Sequence, residues 1–477
     1  MKESRVIALI DMDCFYVQVE QREEPGTWGK PCAVVQYTGG GVIAVNYEAR
    51  GYGIRRGNRV ADCKSKCPSI RLFWVPEQRG KADLTKYRNA SSEVFDVLLN
   101  FDPKLVVERA SIDEAYLDLT DLVQDGTPSF DHVAVNGVSV AGTDRSLQDM
   151  YQEVLEEDER LVVASKVIHM IRDQVKEATN FSCSAGVSNN KVLAKLCAGF
   201  RKPNGQSVLP ASCVNAVFAK TPIEKVRGLG GKLGQEIRKN FGIEAMLQLQ
   251  KVEKEAVEAV FGSKTAHWIR EMANGNDDEP VTSRSVNKSV GCGKNFNGLK
   301  KVSEVKHWFQ QLTGELIERL TEDRESNDRS ATNVIVNVRH SSTEAFSKTL
   351  PLKEYQQATV IDELEKGLLP RLSKDGTDLL LPIISLSLVS GKFVDHCDRD
   401  AVGKTPRIDS FFAAGQPVAS TSSTDHVSIS HTSVTSAGEM SGTAGEVEVD
   451  LSPEVPDAQR GFFYRKTMQL VKRGSIQ

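Results

Sequence analysis

Two clusters of acidic residues at the ends of predicted strands constrain this chain more than any other feature. An apolar run over residues 6–10 (VIALI) is typical of a buried strand, and it ends on Asp11. Far along the chain, a second apolar run over 105–107 leads into Asp113 and Glu114. Hard divalent cations such as Mg²⁺ bind through a few carboxylates together with substrate phosphates, so the pattern indicates a two-metal site for phosphoryl or nucleotidyl transfer. For either cluster alone, ordinary solvated acids are the alternative.

The second cluster needs a bend in the backbone. Residues 106–119 read as strand, turn and strand, with apolar residues alternating in the second arm. Adjacent residues on a regular strand point to opposite faces, so Asp113 and Glu114 can serve one pair of metals only if the chain bends there. The same geometry places Asp13 on the face of Asp11.

Charge is distributed unevenly along the 477 residues, a length that suggests roughly three domains. The net charge of −4 says nothing about partners. Residues 186–242, however, carry ten Lys or Arg against two acids, whereas 408–459 carry eight acids and no Lys or Arg. A basic middle with an acidic tail favours nucleic-acid binding by the middle, with a solvated charged face as the alternative.

Cysteine usage and hydropathy indicate an intracellular, soluble protein. The nine cysteines are odd in number and include no CxxC pair, which favours reduced thiols. The N-terminus lacks the apolar core of a signal peptide, and no run approaches the ~18 apolar residues of a membrane span. We therefore expect no membrane association.

A glycine-rich segment lies between helix-forming stretches at residues 227–234 (RGLGGKLG). It resembles a helix-hairpin-helix turn, in which backbone N–H groups approach a DNA phosphate; a plain interhelical turn is the alternative.

The first half of the chain alternates strand and helix patterns. The other predicted elements are a helix at 14–21, a hairpin of strands 30–37 and 41–47, helices at 47–50 and 81–100, a loop at 126–149, a helix at 154–178, a strand at 182–187 and a helix at 190–200.

A further domain and a tail follow the polar linker 275–280. The domain's elements alternate as β-α-β-β-α-β, which makes a four-stranded sheet with helices on one face. Residues 413–459 contain 14 Ser or Thr and no aromatic residue, so the tail is predicted to be disordered. The predicted elements are strand 285–294, helix 302–321, strands 331–340 and 345–350, helix 358–372 and strand 381–393.

Several motifs together resemble the Y-family translesion DNA polymerases, with the eta branch of the family as the nearest match. They cover roughly the first 240 residues; the 285–393 domain matches in element order only, and the tail weakly. The motifs are 8–15 (ALIDMDCF), 30–37 (KPCAVVQY), 43–50 (IAVNYEAR), 79–88 (RGKADLTKYR), 108–119 (ERASIDEAYLDL) and 183–196 (CSAGVSNNKVLAKL).

The resemblance implies an α+β multidomain, right-hand polymerase. Its palm would comprise residues 1–14 and 79–220, with small fingers at 15–78. A helical thumb would cover 221–280, a β-α-β-β-α-β little finger 281–396, and a disordered regulatory tail 397–477.

The resemblance also implies the catalytic chemistry. Asp11, Asp113 and Glu114 would be the catalytic, metal-binding carboxylates, and the Met12 carbonyl would add a ligand. Two Mg²⁺ ions would serve one active site, with Mn²⁺ able to substitute. Asp13 becomes a supporting residue in the family pattern, against the strand geometry.

Nucleotide contacts carry over residue by residue. Phe15 and Tyr16 both match substrate-binding positions, and Tyr16 is at the steric-gate position under the sugar, where the eta branch more often has phenylalanine. From the residues alone, both rings read as core aromatics. Other matches are Tyr47, Arg50, Lys195 and Lys202 for the triphosphate, Gln36 and Arg56 for the template base and incoming nucleotide, and Gly228, Gly230, Gly231 and Lys232 for DNA. The alternative for the cations is surface solvation.

The tail contains two aromatic pairs that resemble partner-binding motifs. Ile408, Phe411 and Phe412 fit a sliding-clamp box in which Thr405 replaces the usual glutamine, and Phe462 with Phe463 fits an element that binds the scaffolding polymerase of the family. Such pairs also occur by chance in disordered segments. His396, Cys397, His426 and His431 lack zinc-finger spacing, so no ubiquitin-binding finger is expected, as in a shorter isoform.

The favoured function is therefore template-directed, lesion-bypassing DNA synthesis in the nucleus, with primer-template DNA and dNTPs as substrates and cyclobutane pyrimidine dimers among the lesions. Two alternatives remain. A nucleotide cyclase shares such a palm but needs neither the glycine hairpin nor the 281–396 domain. A non-catalytic DNA-binding scaffold would not need three carboxylates beside triphosphate-binding cations.

Overall fold

The computed structural model describes residues 5–37, 40–124, 138–141, 151–283, 288–340 and 345–396. They form two compact units that divide after Val290. Both units mix helices and strands, which confirms the predicted α+β multidomain class. No helix in the described ranges is long and apolar enough to cross a membrane.

The first unit contains a six-stranded sheet, a three-stranded sheet and a two-stranded ribbon. The large sheet has the order β7-β8-β1-β10-β11-β9, the second β3-β2-β4, and the ribbon β5-β6. The strands are β1 Ile7–Met12, β2 Cys32–Val35, β3 Val42–Val45, β4 Arg71–Trp74, β5 Glu77–Gln78, β6 Lys81–Ala82, β7 Val106–Arg109, β8 Glu114–Asp118, β9 Val138–Val140, β10 Cys183–Ser188 and β11 Gln206–Val208.

Helices cover both faces of the large sheet and form a helical segment after it. That segment, 214–273, has its own buried core, which includes Ile237, Met246 and Ile269. The helices are α1 Phe15–Glu23, α2 Tyr47–Gly51, α3 Val60–Lys66, α4 Thr85–Leu99, α5 Tyr151–Thr179, α6 Lys191–Ala198, α7 Val214–Lys220, α8 Lys232–Phe241, α9 Met246–Leu249, α10 Lys254–Phe261 and α11 Ser263–Ala273.

Strand β1 lies at the centre of the large sheet and is buried on both faces. Ala8 and Ile10 belong to the core that includes residues of α4 and α5. Ile7 and Leu9 instead pack with Ala194 of α6. This alternation follows from the two-residue period of a strand, and it explains why the run at 6–10 is apolar throughout.

Helix α6 packs very closely on β10 because a glycine lies at the contact. A Cβ atom on Gly186 would lie 2.2 Å from the Ala194 carbonyl oxygen and 2.4 Å from the Ala198 nitrogen. The N-cap of α6 is Asn190, whose side chain accepts a hydrogen bond from the Leu193 N–H at 3.0 Å. The helix is therefore fixed both in its start and in its distance from the sheet.

A buried lysine joins α6 to β7 and to the segment that leads out of the unit. The Lys191 ammonium, with 1% of the side chain exposed, lies 2.8 Å from Glu108 and 3.0 Å from Glu279. Glu108 also accepts a hydrogen bond from the Thr282 N–H at 2.7 Å, and Glu279 pairs with Arg227. Removal of one member would leave buried charge without a counter-ion.

The second unit confirms the predicted β-α-β-β-α-β order, with two short strands added. Its sheet has the order β12-β16-β14-β15, while β13 pairs with β17. Helices α12 and α13 contact each other and the sheet, so they share one face. The elements are β12 Val290–Lys301, α12 Val302–Asn327, β13 Arg329–Ala331, β14 Asn333–His340, β15 Ala345–Pro351, α13 Gln357–Leu372, β16 Asp378–Ser390 and β17 Phe393–Asp395.

Three element predictions were wrong in part. The helix predicted from residue 81 begins at Thr85, because residues 81–82 pair with 77–78 as a ribbon. The predicted loop 126–149 contains β9, which pairs in parallel with β11, a partner distant in sequence. The strand predicted at 285–294 is β12, which runs to Lys301. The predicted tail, 397–477, lies outside the described residues.

We predict that Lys191→Met lowers the free energy of unfolding by about 3 kcal/mol, because the buried Glu108 loses its counter-ion. Thermal unfolding followed by circular dichroism measures the effect. Lys254→Met is the control, since Lys254 pairs with Glu258 on the surface of the same unit at 3.7 Å. Equal midpoints for the two variants would contradict the prediction.

We predict that Gly186→Ala destabilises the first unit by about 2 kcal/mol or more, since its methyl group cannot fit unless α6 moves away from β10. The midpoint of thermal unfolding is again the measurement. Gly199→Ala serves as the matched control, because the nearest atom to its Cβ lies 3.8 Å away. A Gly186→Ala protein as stable as this control would refute the close-contact argument.

Candidate active site

The register of the large sheet brings one carboxylate of each cluster together. Asp11 on β1 lies directly opposite Glu114 on β8 and opposite Ser184 on β10. Opposite residues on paired strands point to the same face, with Cβ atoms about 5 Å apart. Since Leu9 and Tyr116 of the same strands pack with α6, Asp11 and Glu114 also belong to the α6 face.

The predicted bend is present at the second cluster. Residues 111–113 form a bend, and β8 begins at Glu114. The Asp113 carboxylate accepts a hydrogen bond from the Ser111 hydroxyl at 2.6 Å, and the Asp113 carbonyl accepts one from the Met12 N–H at 2.8 Å. The bend therefore holds Asp113 beside the end of β1, and it ties the main chain of Met12 to the second cluster.

Two lysines neutralise the strand-end acids. Lys195 of α6 donates to both carboxylate oxygens of Glu114, at 2.7 and 2.9 Å. Lys202, in the turn between α6 and β11, forms an ion pair with Asp11. The structure thus brings together four predicted site residues from four separate segments.

Burial has the largest effect on the pKa values of Asp11 and Asp113. Burial raises the pKa of Asp11 to about 6; Lys202 opposes the rise, while Glu114 and Asp113 add to it. Burial also raises the pKa of Asp113 above its usual range, against the Ser111 hydrogen bond. A cation that reaches carboxylates in this setting stabilises their charged form.

These acids are oxygen donors of the type that Mg²⁺ prefers, and they repel one another, so they fit a divalent cation. Among the described residues, no group of three His, Cys, Asp or Glu side chains is arranged to hold a metal ion by itself. Magnesium sites commonly take one or two carboxylates and complete the shell with substrate phosphate and water.

Asp13 is buried, and its hydrogen-bond partners differ from those of Asp11. Its carboxylate accepts hydrogen bonds from the Ser184 hydroxyl at 2.8 Å and from the Asn204 N–H at 2.7 Å. Lys202 lies farther off, at 3.9 Å. The bonds of Asp13 agree with a supporting role: it joins the end of β1 to the turn that carries Lys202.

The two aromatic residues predicted to bind substrate, Phe15 and Tyr16, differ in exposure. Phe15 is only 2% exposed, and its ring packs edge-on against Phe181, so a nucleotide could meet it only through the main chain. Tyr16 is half-buried and stacks on Tyr87, with ring centroids 4.1 Å apart and planes 14° apart. The Tyr87 hydroxyl donates to Glu20 at 2.5 Å.

The remaining predicted nucleotide contacts lie around the three-stranded sheet. Arg50 stacks over the Tyr47 ring at 4.4 Å, and its Nε donates to the Val45 carbonyl at 3.0 Å. Burial raises the pKa of Tyr47, which keeps its hydroxyl protonated. Gln36 follows β2 and is half-buried, whereas Arg56 is exposed in the connection before α3.

The glycine-rich turn precedes α8. Gly228, Gly230, Gly231 and Lys232 are all exposed, and Gly231 is the N-cap of the ten-residue helix. Gly228 has φ +85°, and a Cβ there would lie 2.9 Å from the Trp268 ring. The turn therefore exposes three glycines and a lysine, which leaves its backbone accessible to a phosphate.

The sequence did not indicate four residues around the site. Ser111 and Tyr87 contact the predicted site residues Asp113 and Tyr16, whereas Ser184 and Asn204 bond the supporting residue Asp13. Each contact joins segments that the local pattern cannot relate, apart from the short Ser111 bond within the bend. The tail residues Ile408, Phe411, Phe412, Phe462 and Phe463 lie outside the described ranges.

Sequence profiles of known families match most of the described chain. The impB/mucB/samB family profile matches residues 10–199, and its C-terminal domain profile matches 287–395. A DNA polymerase eta/Rev1 helix-hairpin-helix profile matches 221–276, which includes the glycine-rich turn.

Individual relatives agree with the profiles. DNA polymerase eta of Arabidopsis thaliana is 41% identical over 352 residues, which are 69% of this chain and 52% of the relative. DNA polymerase eta of Drosophila melanogaster is 37% identical over 401 residues, or 76% of this chain and 45% of the relative. DNA polymerase IV of Staphylococcus aureus is 30% identical over 358 residues, which are 74% of this chain and 86% of the relative.

The chain spans about half the length of the eta relatives that it matches. It spans most of the bacterial relative, and the profiles cover the carboxylates, the glycine-rich turn and the second unit. The chain therefore belongs to the impB/mucB/samB family, the Y-family of DNA polymerases.

Proposed function

We propose that the chain is a template-directed DNA polymerase that transfers a deoxynucleotide from a dNTP to a primer 3′-OH and continues past damaged bases such as cyclobutane pyrimidine dimers. The observation that carries the proposal is the convergence of Asp11, Asp113 and Glu114 at one end of the large sheet, with two lysines beside them. The eta relatives, whose name is that of a DNA polymerase, support the same activity.

Asp11, Asp113, Glu114 and the Met12 carbonyl would hold two Mg²⁺ ions, for which Mn²⁺ could substitute. When bound, such ions activate the primer hydroxyl and stabilise the leaving pyrophosphate. The protein supplies the rigid strand register that sets the spacing of the acids. It also supplies burial, which keeps water from screening the charges.

The lysines suggest how the site could accept a metal-bound triphosphate without a large change in net charge. Lys195 and Lys202 neutralise Glu114 and Asp11. On substrate binding, the carboxylates would turn to the metal ions and the ammonium groups to the phosphates. Tyr47 and Arg50 would contact the triphosphate from the other side, with the guanidinium held over the ring.

Selection of the sugar and base would fall to residues near the start of α1 and β2. The Tyr16 ring, held by its stack on Tyr87, would clash with a 2′-OH. Phe15 would contact the sugar through its main chain, while Gln36 and Arg56 would contact the template base and the incoming nucleotide.

DNA would bind at the glycine-rich turn through Gly228, Gly230, Gly231 and Lys232. The domain limits follow the family layout: palm 1–14 and 79–220, fingers 15–78, thumb 221–280 and little finger 281–396. The match of a helix-hairpin-helix profile to 221–276 favours a primer-template partner over the substrate of a nucleotide cyclase. Nuclear localisation, clamp binding through Ile408, Phe411 and Phe412, and scaffold binding through Phe462 and Phe463 stay predictions.

Primer extension on a template with a thymine dimer tests the activity. We expect the wild type with Mg²⁺ to insert two adenines opposite the dimer, and Asp113→Ala with Glu114→Ala to insert none, because the metal-binding carboxylates are gone. The same Asp-Glu pair occurs at Asp362 and Glu363, both exposed on α13, so its double alanine variant is the matched control. Extension by the first variant, or none by the wild type, would refute the proposal.

Tyr16→Ala tests the sugar gate. We expect the discrimination between dNTP and rNTP to fall by about 10- to 200-fold, since the ring no longer excludes the 2′-OH. The ratio of kcat/KM for the two nucleotides is the measurement. Tyr16→Phe keeps the ring and should keep the discrimination; a Tyr16→Ala enzyme that still rejects ribonucleotides would assign the gate to another residue.

A further inference from the structure

The turn that carries Lys202 is tightly constrained. Asn204 has φ +52°, a left-handed conformation that asparagine tolerates better than most residues. A Cβ on Gly205 would lie 1.8 Å from the Arg201 carbonyl oxygen, so only glycine fits there. The turn is thus a tight one at residues 201–205, and Lys202 reaches Asp11 from it.

The main chain of this turn is held by Asp13, which follows β1, and by residues of β10. The Asn204 N–H donates to the Asp13 carboxylate at 2.7 Å, and the Ala185 N–H donates to the Gly205 carbonyl at 3.0 Å. Both contacts act on the C-terminal side of Lys202. They leave the side chain of Asn204 for another partner.

That partner is Arg172, a buried residue of α5. Its guanidinium donates to the Asn204 side-chain oxygen at 2.9 Å, to the Cys183 carbonyl at 3.0 Å and, less closely, to the Gln206 side-chain oxygen at 3.4 Å. All three acceptors are uncharged, and no carboxylate among the described residues pairs with Arg172 within 4 Å.

A buried guanidinium with only neutral acceptors is an unfavourable arrangement in itself, so packing alone is a poor reason for an arginine here. Its planar fork can bind the start of β10 and the turn at the same time, which a lysine cannot do. The three acceptors belong to Cys183 at the start of β10, to Asn204 in the Lys202 turn and to Gln206 at the start of β11, which pairs in parallel with β10. The hydrogen bonds of Arg172 therefore fix the position of the turn relative to the sheet.

We propose that Arg172 is a positioning residue for the triphosphate site and acts through Asn204 on Lys202. The proposal rests on the proposed function, in which Lys202 binds the triphosphate. Arg172 itself touches neither the acids nor, in this assignment, the nucleotide. It sets the position of the Lys202 turn beside Asp11, so that the ammonium group meets the phosphates without reordering of the turn.

Asn204→Gly is the main test. Glycine suits φ +52°, and Asn204 is exposed, so the substitution removes the acceptor without strain or loss of core. We expect the KM for dNTP on undamaged primer-template to rise about three- to tenfold while kcat changes less than about twofold, as loss of substrate binding requires. The affinity for primer-template DNA should not change.

Asn180→Gly is the matched control, because Asn180 is also exposed and left-handed, at φ +63°, and lies in the same unit. A similar rise in KM for this control would mean general loosening and would overturn the inference. An unchanged KM for dNTP in Asn204→Gly, when the wild type polymerises normally, would also overturn the inference. A wild type that incorporates no nucleotide would instead refute the proposed function.

A double-mutant cycle separates positioning from a purely structural role. If Arg172 acts through Asn204, Arg172→Gln should raise KM by a similar factor, and the double variant should add little. Arg172→Lys should fall between wild type and Arg172→Gln. Additive effects on KM would overturn the coupling, and if Arg172→Gln does not fold, the Asn204→Gly result decides.

Discussion

The antiparallel pairing of β1 with β8 and β10 is the constraint on which the rest of the site depends. It places Asp11 opposite Glu114, and the alternating burial of β1 fixes that register. A shift of one residue would move Ile10 to the α6 face and Asp11 into the core, with a large loss of apolar burial. The same hydrophobic pattern that stabilises the sheet therefore sets the spacing of the acids, and the site needs no separate scaffold.

Charge balance is the second constraint, and it explains why the site draws on so many segments. The acids come from β1, from the bend before β8 and from the first residue of β8, whereas the lysines come from α6 and from the turn after it. Partly buried carboxylates that repel one another require cations nearby. Ammonium groups that can pass from carboxylate to phosphate meet that requirement before and after substrate binds, provided that each lysine is held within reach of both.

Local pattern was sufficient for the elements that carry the acids. The apolar run ending on Asp11, the bend at Asp113 and the helix of Lys195 all follow from short-range periodicity and turn chemistry, and the structure has them as predicted. Much of what the sequence could not show depends on partners far along the chain, since strand β9 exists because it pairs with β11. The ribbon before Thr85 is instead a local pairing of 77–78 with 81–82, which the helical pattern of 81–100 did not indicate. Asn204 and Arg172 are 32 positions apart, and no local signal connects them.

The two lysines are held by different means, and this difference gives the buried arginine a physical reason. Lys195 lies on a capped helix that Gly186 allows to pack directly on the sheet, so its main chain is fixed by helix geometry and backbone contact. Lys202 lies in a short turn that lacks the hydrogen bonds of a helix. A backbone bond from the Ala185 N–H to the Gly205 carbonyl joins the turn to the sheet, and side-chain bonds further limit its thermal motion. Asp13 holds the main chain of that turn and Arg172 holds its one free amide side chain. A lysine in a turn needs such bonds to keep its position, whereas a lysine on a packed helix does not.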